Sequence, residues 1–224
     1  MSLLDSSSLK SFLEKLLANH FPDGLNVGFP SLAAVEFSLS SVRLSSQQIK
    51  RKYYSSTSNY KFDYLNSDHM AMFLYFLSKY YAEAELNYAV ASKFFYLNKI
   101  MNGIDLYHSV KMPEIFMFVH PVGTVIGAAT FQNYFAIYQN VTIGSDANVY
   151  PTFGQGIVLF AGSKVIGDCQ IGDNVIFGAN SFILNSKVPS NCLVVGQYPN
   201  HKILVNTKNV KKNFFGIDLN GFEK

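Results

Sequence analysis

The sequence predicts an α+β protein in which a helical N-terminal region, residues 1–118, precedes a parallel β-helix of hexapeptide repeats over residues 119–200. Two observations predict this fold. Apolar residues recur at intervals of six in the second region, and stripes with helical spacing fill the first. Residues 201–224 follow as a basic tail, with five lysines against two acidic residues.

The repeat consists of eleven apolar residues at a spacing of six, interrupted once by a two-residue slip. A period of six matches neither the 3.6-residue helix nor the alternation of an ordinary strand. It is typical of a parallel β-helix, in which each short strand contributes one inward side chain before a turn. An ordinary β-sandwich with frequent turns is the alternative. The repeat residues are Val125, Phe131, Ile137, Ile143, Val149, Phe153, Leu159, Val165, Ile171, Phe177 and Ile183.

The first region contains four candidate helices. Leucines at i, i+3 and i+4 predict an amphipathic helix over 8–21, and a weaker pattern predicts a second over 31–49. Two further stripes, over 67–81 and 86–101, predict an antiparallel helix pair. Ser8 and Ser67 stand where N-caps are expected.

Composition excludes several classes of protein. With 49% hydrophobic and 15% charged residues, the chain of 224 residues is expected to fold around a core. The net charge of +3 and the lack of a basic stripe argue against nucleic-acid binding. No secretion signal and no apolar run of membrane-spanning length are visible, which predicts a cytoplasmic protein without a membrane span. The two cysteines lack the spacing of metal ligands, so no metal is expected.

Charge is sparse in the repeat region. Residues 119–200 contain two basic and three acidic side chains. A β-helix with so few charges is not expected to face water on every side. Burial of its outer faces against sister chains predicts a homotrimer.

Short motifs along the repeat region resemble those of the serine acetyltransferases. The resemblance runs from about residue 67 to about residue 203. That family consists of hexapeptide-repeat acyltransferases that fold as left-handed β-helices and assemble as trimers, so the resemblance implies a left-handed coil and an acyl-CoA, such as acetyl-CoA, as co-substrate. The matching motifs are His120-Pro121, Ile126-Gly127, Val141-Thr142-Ile143-Gly144, Ala161-Gly162-Ser163-Lys164-Val165-Ile166-Gly167, Val188-Pro189 and Gly196-Gln197-Tyr198-Pro199.

The family's catalytic positions are occupied by other residues here. Aligned through His120-Pro121, the family's Leu-Asp-His run, whose His is the general base, falls on Phe131-Gln132-Asn133. Neither Gln nor Asn accepts a proton near neutral pH, so the catalytic Asp-His pair is predicted to be replaced. A second run, Arg-His-Pro, falls on Val149-Tyr150-Pro151. The acid that binds the serine amine in the family falls near Arg51-Lys52-Tyr53.

The candidate site combines surviving and substituted positions. His120, at the mouth of the β-helix, and secondarily His108 are candidate replacement bases, although either could be a structural histidine at a junction. Asn133 occupies the catalytic position, and Gln132, Tyr134 and Tyr150 could bind an amide or sugar hydroxyls through hydrogen bonds and stacking. The resemblance implies that small residues leave room for the pantetheine arm of CoA and that a cation holds its phosphates. Those residues are Ala161, Gly162, Gly178, Ala179 and Lys202.

Two functions remain open at this point. The resemblance implies a CoA-dependent acyltransferase acting on a small hydroxyl- or amine-bearing acceptor, such as a sugar in surface polysaccharide biosynthesis. The alternative is a non-catalytic trimeric scaffold or binding protein that retains the hexapeptide fold. The orientation of His120 distinguishes them, because catalysis requires a titratable group in the cleft between subunits.

Overall fold

A computed structural model describes residues 4–25, 28–49 and 61–217. Four helices form the N-terminal region, as the periodicity predicts: α1 Ser6–His20, α2 Leu32–Gln47, α3 Ser67–Glu83 and α4 Tyr88–Asn102. Asp5 and Asn66, each ahead of the serine expected as the N-cap, cap α1 and α3. Their side-chain oxygens accept hydrogen bonds from the first-turn amides of Ser8 and Asp68, respectively.

Helix α3 is the centre of the helical region. It is buried on almost every face, because it packs against α2, α4 and the edge of the β-structure. Two polar contacts fix it to α4: the Ser78 hydroxyl donates to the Ala91 carbonyl at 2.6 Å, and the Asn98 amide donates to the Ala71 carbonyl at 2.9 Å. Phe73, Tyr75, Tyr81 and Phe94 are fully buried in this packing, whereas Tyr88 and Tyr96 are exposed.

The second region is a parallel β-solenoid, so the predicted fold class is confirmed. Its strands form three sheets of five, six and three strands, in which all ladders but one are parallel. The strands are β1 Asp105–Leu106, β2 Phe116–Val119, β3 Val125–Ile126, β4 Phe135–Tyr138, β5 Thr142–Gly144, β6 Thr152–Phe153, β7 Ile157–Leu159, β8 Lys164–Ile166, β9 Gln170–Ile171, β10 Val175–Phe177, β11 Phe182–Leu184, β12 Lys187–Val188, β13 Cys192–Val195 and β14 Lys202–Val205.

Inward side chains stack directly on one another from coil to coil. In the six-stranded sheet, Phe118 pairs with Ile137, which pairs with Leu159, and the same column continues through Phe177 and Val194. All of these side chains are fully buried. The apolar residue at every sixth position is therefore the unit from which the core is built.

Two residues of the predicted repeat do not lie in the core. Val125 and Val149 are 44% and 46% exposed. Ile126 takes the inward position instead of Val125, in register with Ile143. Val149 is displaced because Asp146 to Val149 form a tight turn, in which Ala147 and Asn148 have positive φ. Extra residues at these two turns shift the six-residue spacing, and the amino-acid composition of the turns does not reveal the shift.

The β-structure also extends beyond both predicted boundaries. It begins at Asp105, in strand β1, because Asp105 and Leu106 pair in parallel with Val125 and Ile126. Two residues are too short a segment to show a period of six. At the other end, residues up to 217 are ordered as β14, which runs antiparallel to β13, and as helix α5 Val210–Phe215. Residues 218–224 of the predicted tail lie outside the described residues.

Residues 202–217 form a strap across the outer face of the six-stranded sheet. Asn174 holds it twice: its Oδ1 accepts from the amide of Val210 at 2.9 Å, and its backbone carbonyl accepts from the Asn206 side chain at 3.0 Å. The Lys211 ammonium donates to Gln155 Oε1 at 2.6 Å. The segment predicted as a tail is therefore part of the packed structure.

We expect the Phe177→Ala variant to lose about 3–5 kcal/mol of free energy of unfolding, because Phe177 lies in the middle of the inward column. Urea denaturation followed by circular dichroism measures the loss. Val205→Ala, at a side chain that is 80% exposed, serves as the control and should change the stability by less than about 0.5 kcal/mol. Equal losses in the two variants would contradict the inward assignment.

Candidate active site

Three lines of turns connect the sheets, and one of them gathers most of the predicted site. We call the turns that lead from the six-stranded to the five-stranded sheet the first corner; they comprise residues 120–124, 139–141, 160–163 and 178–181. The register is continuous along it, since the Gly162 amide donates to the Gln139 carbonyl at 2.9 Å and the Asn180 amide donates to the Ala161 carbonyl at 2.8 Å. Successive turns therefore lie about 4.8 Å apart in a straight row.

His120 heads this row. It follows the last residue of β2, Val119, which pairs with Tyr138 at the end of β4. Ala161 and Ala179 follow the next two strands of the same sheet, and Gly178 lies directly after β10. Lys202 pairs with Val195 at the end of β13, so it lies at the same edge of the sheet. The structure thus brings His120, Ala161, Gly162, Gly178, Ala179 and Lys202 together along one edge.

The small residues of the row are required by its geometry. Gly162 has φ +72, and a β-carbon there would collide with Oδ1 of Asn180 in the next coil. At Gly178, a β-carbon would lie 3.2 Å from the Val194 carbonyl oxygen. Ala161 is half-buried and Ala179 is exposed, whereas Phe160 in the same turns is large. We call this row of small residues, between the turns of His120 and Lys202, the groove.

The backbone of His120 is held by a buried acid from the helical region. His120 has φ +52, a left-handed conformation that is uncommon for residues other than glycine. Its amide donates to Asp68 Oδ1 at 2.8 Å, and Asp68 is only 5% exposed. The imidazole itself lies in the exposed part of the turn. His120 therefore faces solvent at the head of the groove and is not packed in the first coil.

Burial raises the pKa of the Asp68 carboxyl, and three effects oppose the rise: the hydrogen bond from the His120 amide, the positive charge of the His120 ring and a hydrogen bond from the Ser67 side chain. No acid was predicted at this position, since residue 68 is separated from His120 by 52 positions and carries no motif.

Three predicted residues lie at a different corner of the solenoid. Gln132, Asn133 and Tyr134 precede β4, whereas His120 follows β2, so the length of a strand separates them from the row. Asn133 Oδ1 accepts from the amide of Ile115 at 3.1 Å, which is a structural contact. Tyr134 packs edge-on against Phe215 and lies below the Lys211 ammonium, 5.3 Å from its ring centre. The structure does not place these residues with His120.

Tyr150 lies at the remaining corner. Its ring covers Gly127, where a β-carbon would lie 2.6 Å from Tyr150 Cε1. Strands β3 and β5 run between this corner and the first corner. Tyr150 therefore fills the space that the missing side chain leaves, and it does not reach the groove.

A cavity of about 400 Å³ opens beside the first corner, between the outer face of the six-stranded sheet and the strap. The sheet contributes mostly apolar surface, and the strap contributes polar groups together with Phe214. Phe160 and Gly178 belong to both the cavity and the first corner. The lining residues are Phe160, Ile176, Gly178, Leu193, Val205, Asn206, Thr207, Lys208, Asn213 and Phe214.

His108, the other candidate base, lies away from this groove. It is buried among aromatic rings, with Tyr107 at 3.9 Å and Tyr88 at 6.1 Å between ring centres. Its Nε2 has no hydrogen-bond partner among the described residues. Burial lowers the pKa of His108, and the nearby Glu83 carboxylate opposes this in part. This environment is that of a packed, neutral histidine.

Two features are absent from residues 4–25, 28–49 and 61–217. No group of three or more His, Cys, Asp or Glu side chains there is arranged to hold a metal ion. No helix in the same ranges has the length and apolar character needed to cross a membrane.

The known sequences to which this chain is similar are serine acetyltransferases. The serine acetyltransferase of Synechococcus elongatus is 37% identical over 106 residues, which are 45% of this chain and 43% of the relative. That of Staphylococcus epidermidis is 33% identical over 132 residues, which are 57% of this chain and 61% of the relative. The chain thus matches about half the length of these relatives. No family profile matches the chain.

Solved structures share the fold. The crystal structure of serine acetyltransferase from Vibrio cholerae superimposes with a TM-score of 0.69 at 20% identity, covering 92% of this chain and 83% of that one. A serine acetyltransferase in complex with CoA gives a TM-score of 0.66 at 20% identity, covering 88% and 85%. The helices followed by stacked coils define a hexapeptide-repeat β-solenoid protein. Within that class, this chain is similar to serine acetyltransferases over about half of its length.

We expect His108 to make the free energy of unfolding decrease as the pH is lowered. Because the folded-state pKa of His108 is lowered, its contribution is fully present above the unfolded value of about 6.5 and is lost as the pH falls through the folded pKa. The free energy of unfolding of the wild type should therefore decrease more between pH 7.5 and pH 5.5 than that of His108→Phe. Parallel losses in urea denaturation at the two pH values would contradict a buried neutral His108.

Proposed function

We propose that this protein is a serine acetyltransferase-like acyltransferase that uses an acyl-CoA, such as acetyl-CoA, as its donor. The observation that carries the proposal is the row at the first corner, where an exposed histidine heads a groove of small residues that ends at a lysine. A thioester needs a base at one end, room for the pantetheine arm along the groove and cations for the phosphates. His120 supplies the base, and the Ala161–Gly162 and Gly178–Ala179 turns supply the room for the pantetheine arm. Lys202 supplies a cation for the phosphates.

The exposure of His120 supports it as the base. Aligned through His120-Pro121 and Ile126-Gly127, the family's Asp-His pair falls on Gln132 and Asn133, neither of which accepts a proton near neutral pH. His120 is exposed at the first corner, and imidazole is the side chain that most often serves as a general base.

The reaction follows from this arrangement. An acceptor hydroxyl or amine adds to the thioester carbonyl carbon while His120 removes its proton. The tetrahedral intermediate collapses, the carbon–sulfur bond breaks, and the CoA thiolate leaves with the proton that His120 returns. The products are the acylated acceptor and free CoA, and the base is regenerated.

For the acceptor we propose a sugar hydroxyl of a surface polysaccharide precursor. The family's acid for the serine amine falls near Arg51-Lys52-Tyr53 in this sequence, and these residues lie outside the described part of the chain. Basic and aromatic residues at that position suit a sugar or its phosphate better than an amino group. An acyl-CoA donor would place the reaction in the cytoplasm.

We also propose that the active form is a homotrimer. The groove is open in the single chain, and apolar side chains lie exposed near it: Val122, Tyr198, Ile203 and Leu204. A sister chain would cover them and enclose the groove, which strengthens electrostatic interactions with the reacting atoms.

The donor site is tested by calorimetric titration with acetyl-CoA. The wild type should bind, and Ala179→Trp should weaken binding at least tenfold because the indole would block the groove. Ala128→Trp, at an exposed alanine of another corner, is the matched control and should bind like the wild type. Equal binding by the two variants would mean that acetyl-CoA does not bind in the groove. No binding by the wild type would favour the non-catalytic scaffold.

The base is tested separately. His120→Ala should lower the rate of CoA release in the presence of acceptor by about 10²–10⁴-fold, the usual contribution of a general base, and should leave acetyl-CoA binding unchanged. Release of free thiol, measured with sugar acceptors before serine, gives the rate. Unchanged turnover would remove His120 from the mechanism.

A further inference from the structure

The cavity between the strap and the outer face of the six-stranded sheet has no role in the acyl transfer proposed above. Its volume of about 400 Å³ lies in the range of about 300–1,000 Å³ that is usual for small-molecule sites. Protein interiors are otherwise close-packed, and a space lined by apolar groups leaves those groups without contacts on one side. A cavity of this size is therefore a candidate binding site.

Contacts along the strap fix its position over the sheet. Asn174 binds the strap through the side chain of Asn206 and the amide of Val210. Further along the chain, the centre of the Phe214 ring lies 6.2 Å from that of Phe160. Because the strap is anchored at three points along its length, the cavity belongs to the packed fold and is not the space under a loose loop.

The sheet gives the cavity an apolar floor. Phe160, Ile176 and Leu193 form this floor, and Phe214 of the strap adds a second aromatic ring. Phe160 and Leu193 are only half-buried, so part of their apolar surface remains accessible. The hydrophobic effect favours covering such surface with the apolar part of a ligand.

The strap gives the cavity a polar rim. The side chain of Asn206 is already engaged, since its amide donates to the Asn174 carbonyl and its Oδ1 accepts from the Lys208 amide. The side chains of Thr207, Lys208 and Asn213 also line the cavity, and they have no hydrogen-bond or ion-pair partner within the described part of the chain. These three side chains are therefore available to a ligand.

The charge of the rim is positive. Of the described residues that line the cavity, Lys208 alone is charged. Residues 174–217 contain five lysines and no acidic residue, so no carboxylate of the strap or of the last coils competes for its ammonium group. An ammonium at the edge of an apolar cavity attracts an anion whose hydrocarbon part can lie on the floor.

We propose that this cavity binds a small organic anion with an apolar body and one acidic head group. The body lies against Phe160, Ile176 and Leu193, and the head group faces Lys208. The site is distinct from the groove at the first corner, although Phe160 and Gly178 border both. It does not depend on the proposed acyl transfer.

The charge requirement is tested with a pair of fluorescent probes. The probe 8-anilinonaphthalene-1-sulfonate (ANS) combines aromatic rings with one sulfonate, and N-phenyl-1-naphthylamine is its neutral analogue. In fluorescence titrations of the full chain, ANS should bind to a single saturable site. Lys208→Gln should weaken ANS binding about fivefold and leave binding of the neutral analogue unchanged.

Lys212→Gln is the matched control for this change, because Lys212 is an exposed lysine of the strap that lies outside the lining. It should bind both probes like the wild type. Equal ANS affinities in Lys208→Gln and the wild type, or no ANS binding by the wild type, would overturn the proposal.

Filling the cavity tests where the probes bind. Leu193→Trp places a larger side chain on the floor and should weaken binding of both probes about tenfold or more. Leu204→Trp, on β14 but outside the lining, is the matched control and should bind both probes like the wild type. If Leu193→Trp does not fold, Val205→Trp fills the cavity from an exposed lining position. Undiminished binding in the variant that folds would mean that the probes occupy another surface, contrary to the proposal.

Competition identifies the source of the anion. Displacement of ANS by 2-naphthoate indicates an aromatic acid, displacement by octanoate indicates a fatty acid, and displacement by neither would contradict the site. Acetyl-CoA should not displace ANS, because the groove lies outside the cavity. Displacement by acetyl-CoA would show that the cavity is part of the donor site and would refute a separate one. If acetyl-CoA does not bind at all, the proposed function fails, and the probe titrations still decide this inference.

Discussion

The in-register stacking of parallel coils is the constraint on which the rest of this structure depends. Each coil buries its apolar face only against its neighbours. The columns that contain Ile137, Leu159 and Phe177 therefore form the core and also fix the register of successive coils. The same stacking lines up the turns. A groove at the first corner follows from the register, and every substitution that preserves the columns also preserves the spacing of the groove.

A stack of this kind has two open ends, and the chain closes both. At the first end, strand β2 is the edge of the six-stranded sheet. The Ser45 hydroxyl of α2 donates to the Phe116 carbonyl at 2.6 Å and accepts from the Phe116 amide at 2.9 Å. A single side chain thus satisfies both backbone groups of an edge residue, which would otherwise be buried without partners. At the other end, β14 pairs with β13 and the strap folds back.

The helical region therefore closes one end of the solenoid and contacts the turn of His120 with the same helices. Packing of α3 against β2 buries the edge of the sheet and delivers Asp68 to the backbone of His120.

Much of the fold was predictable because its signal is periodic and local. Eight of the eleven repeat residues are buried and Phe131 is half-buried, and the four helices begin and end within a few residues of their stripes. The predicted inward positions of Val125 and Val149 were wrong, because turns of irregular length shift the six-residue spacing without a change in composition. Asn133 and Tyr134 seemed suited to a site by residue type, but their side chains are engaged by Ile115 and by the strap.

The sequence by itself determined that this chain would coil with a period of six, and that small residues would follow its strands, since each coil makes the same local demand. Only the tertiary structure decided which polar groups meet. Asp68 and His120 lie 52 positions apart, and nothing local distinguishes that aspartate from others on the surface. Their contact exists because α3 packs against the edge of the solenoid, and burial there raises the pKa of the Asp68 carboxyl.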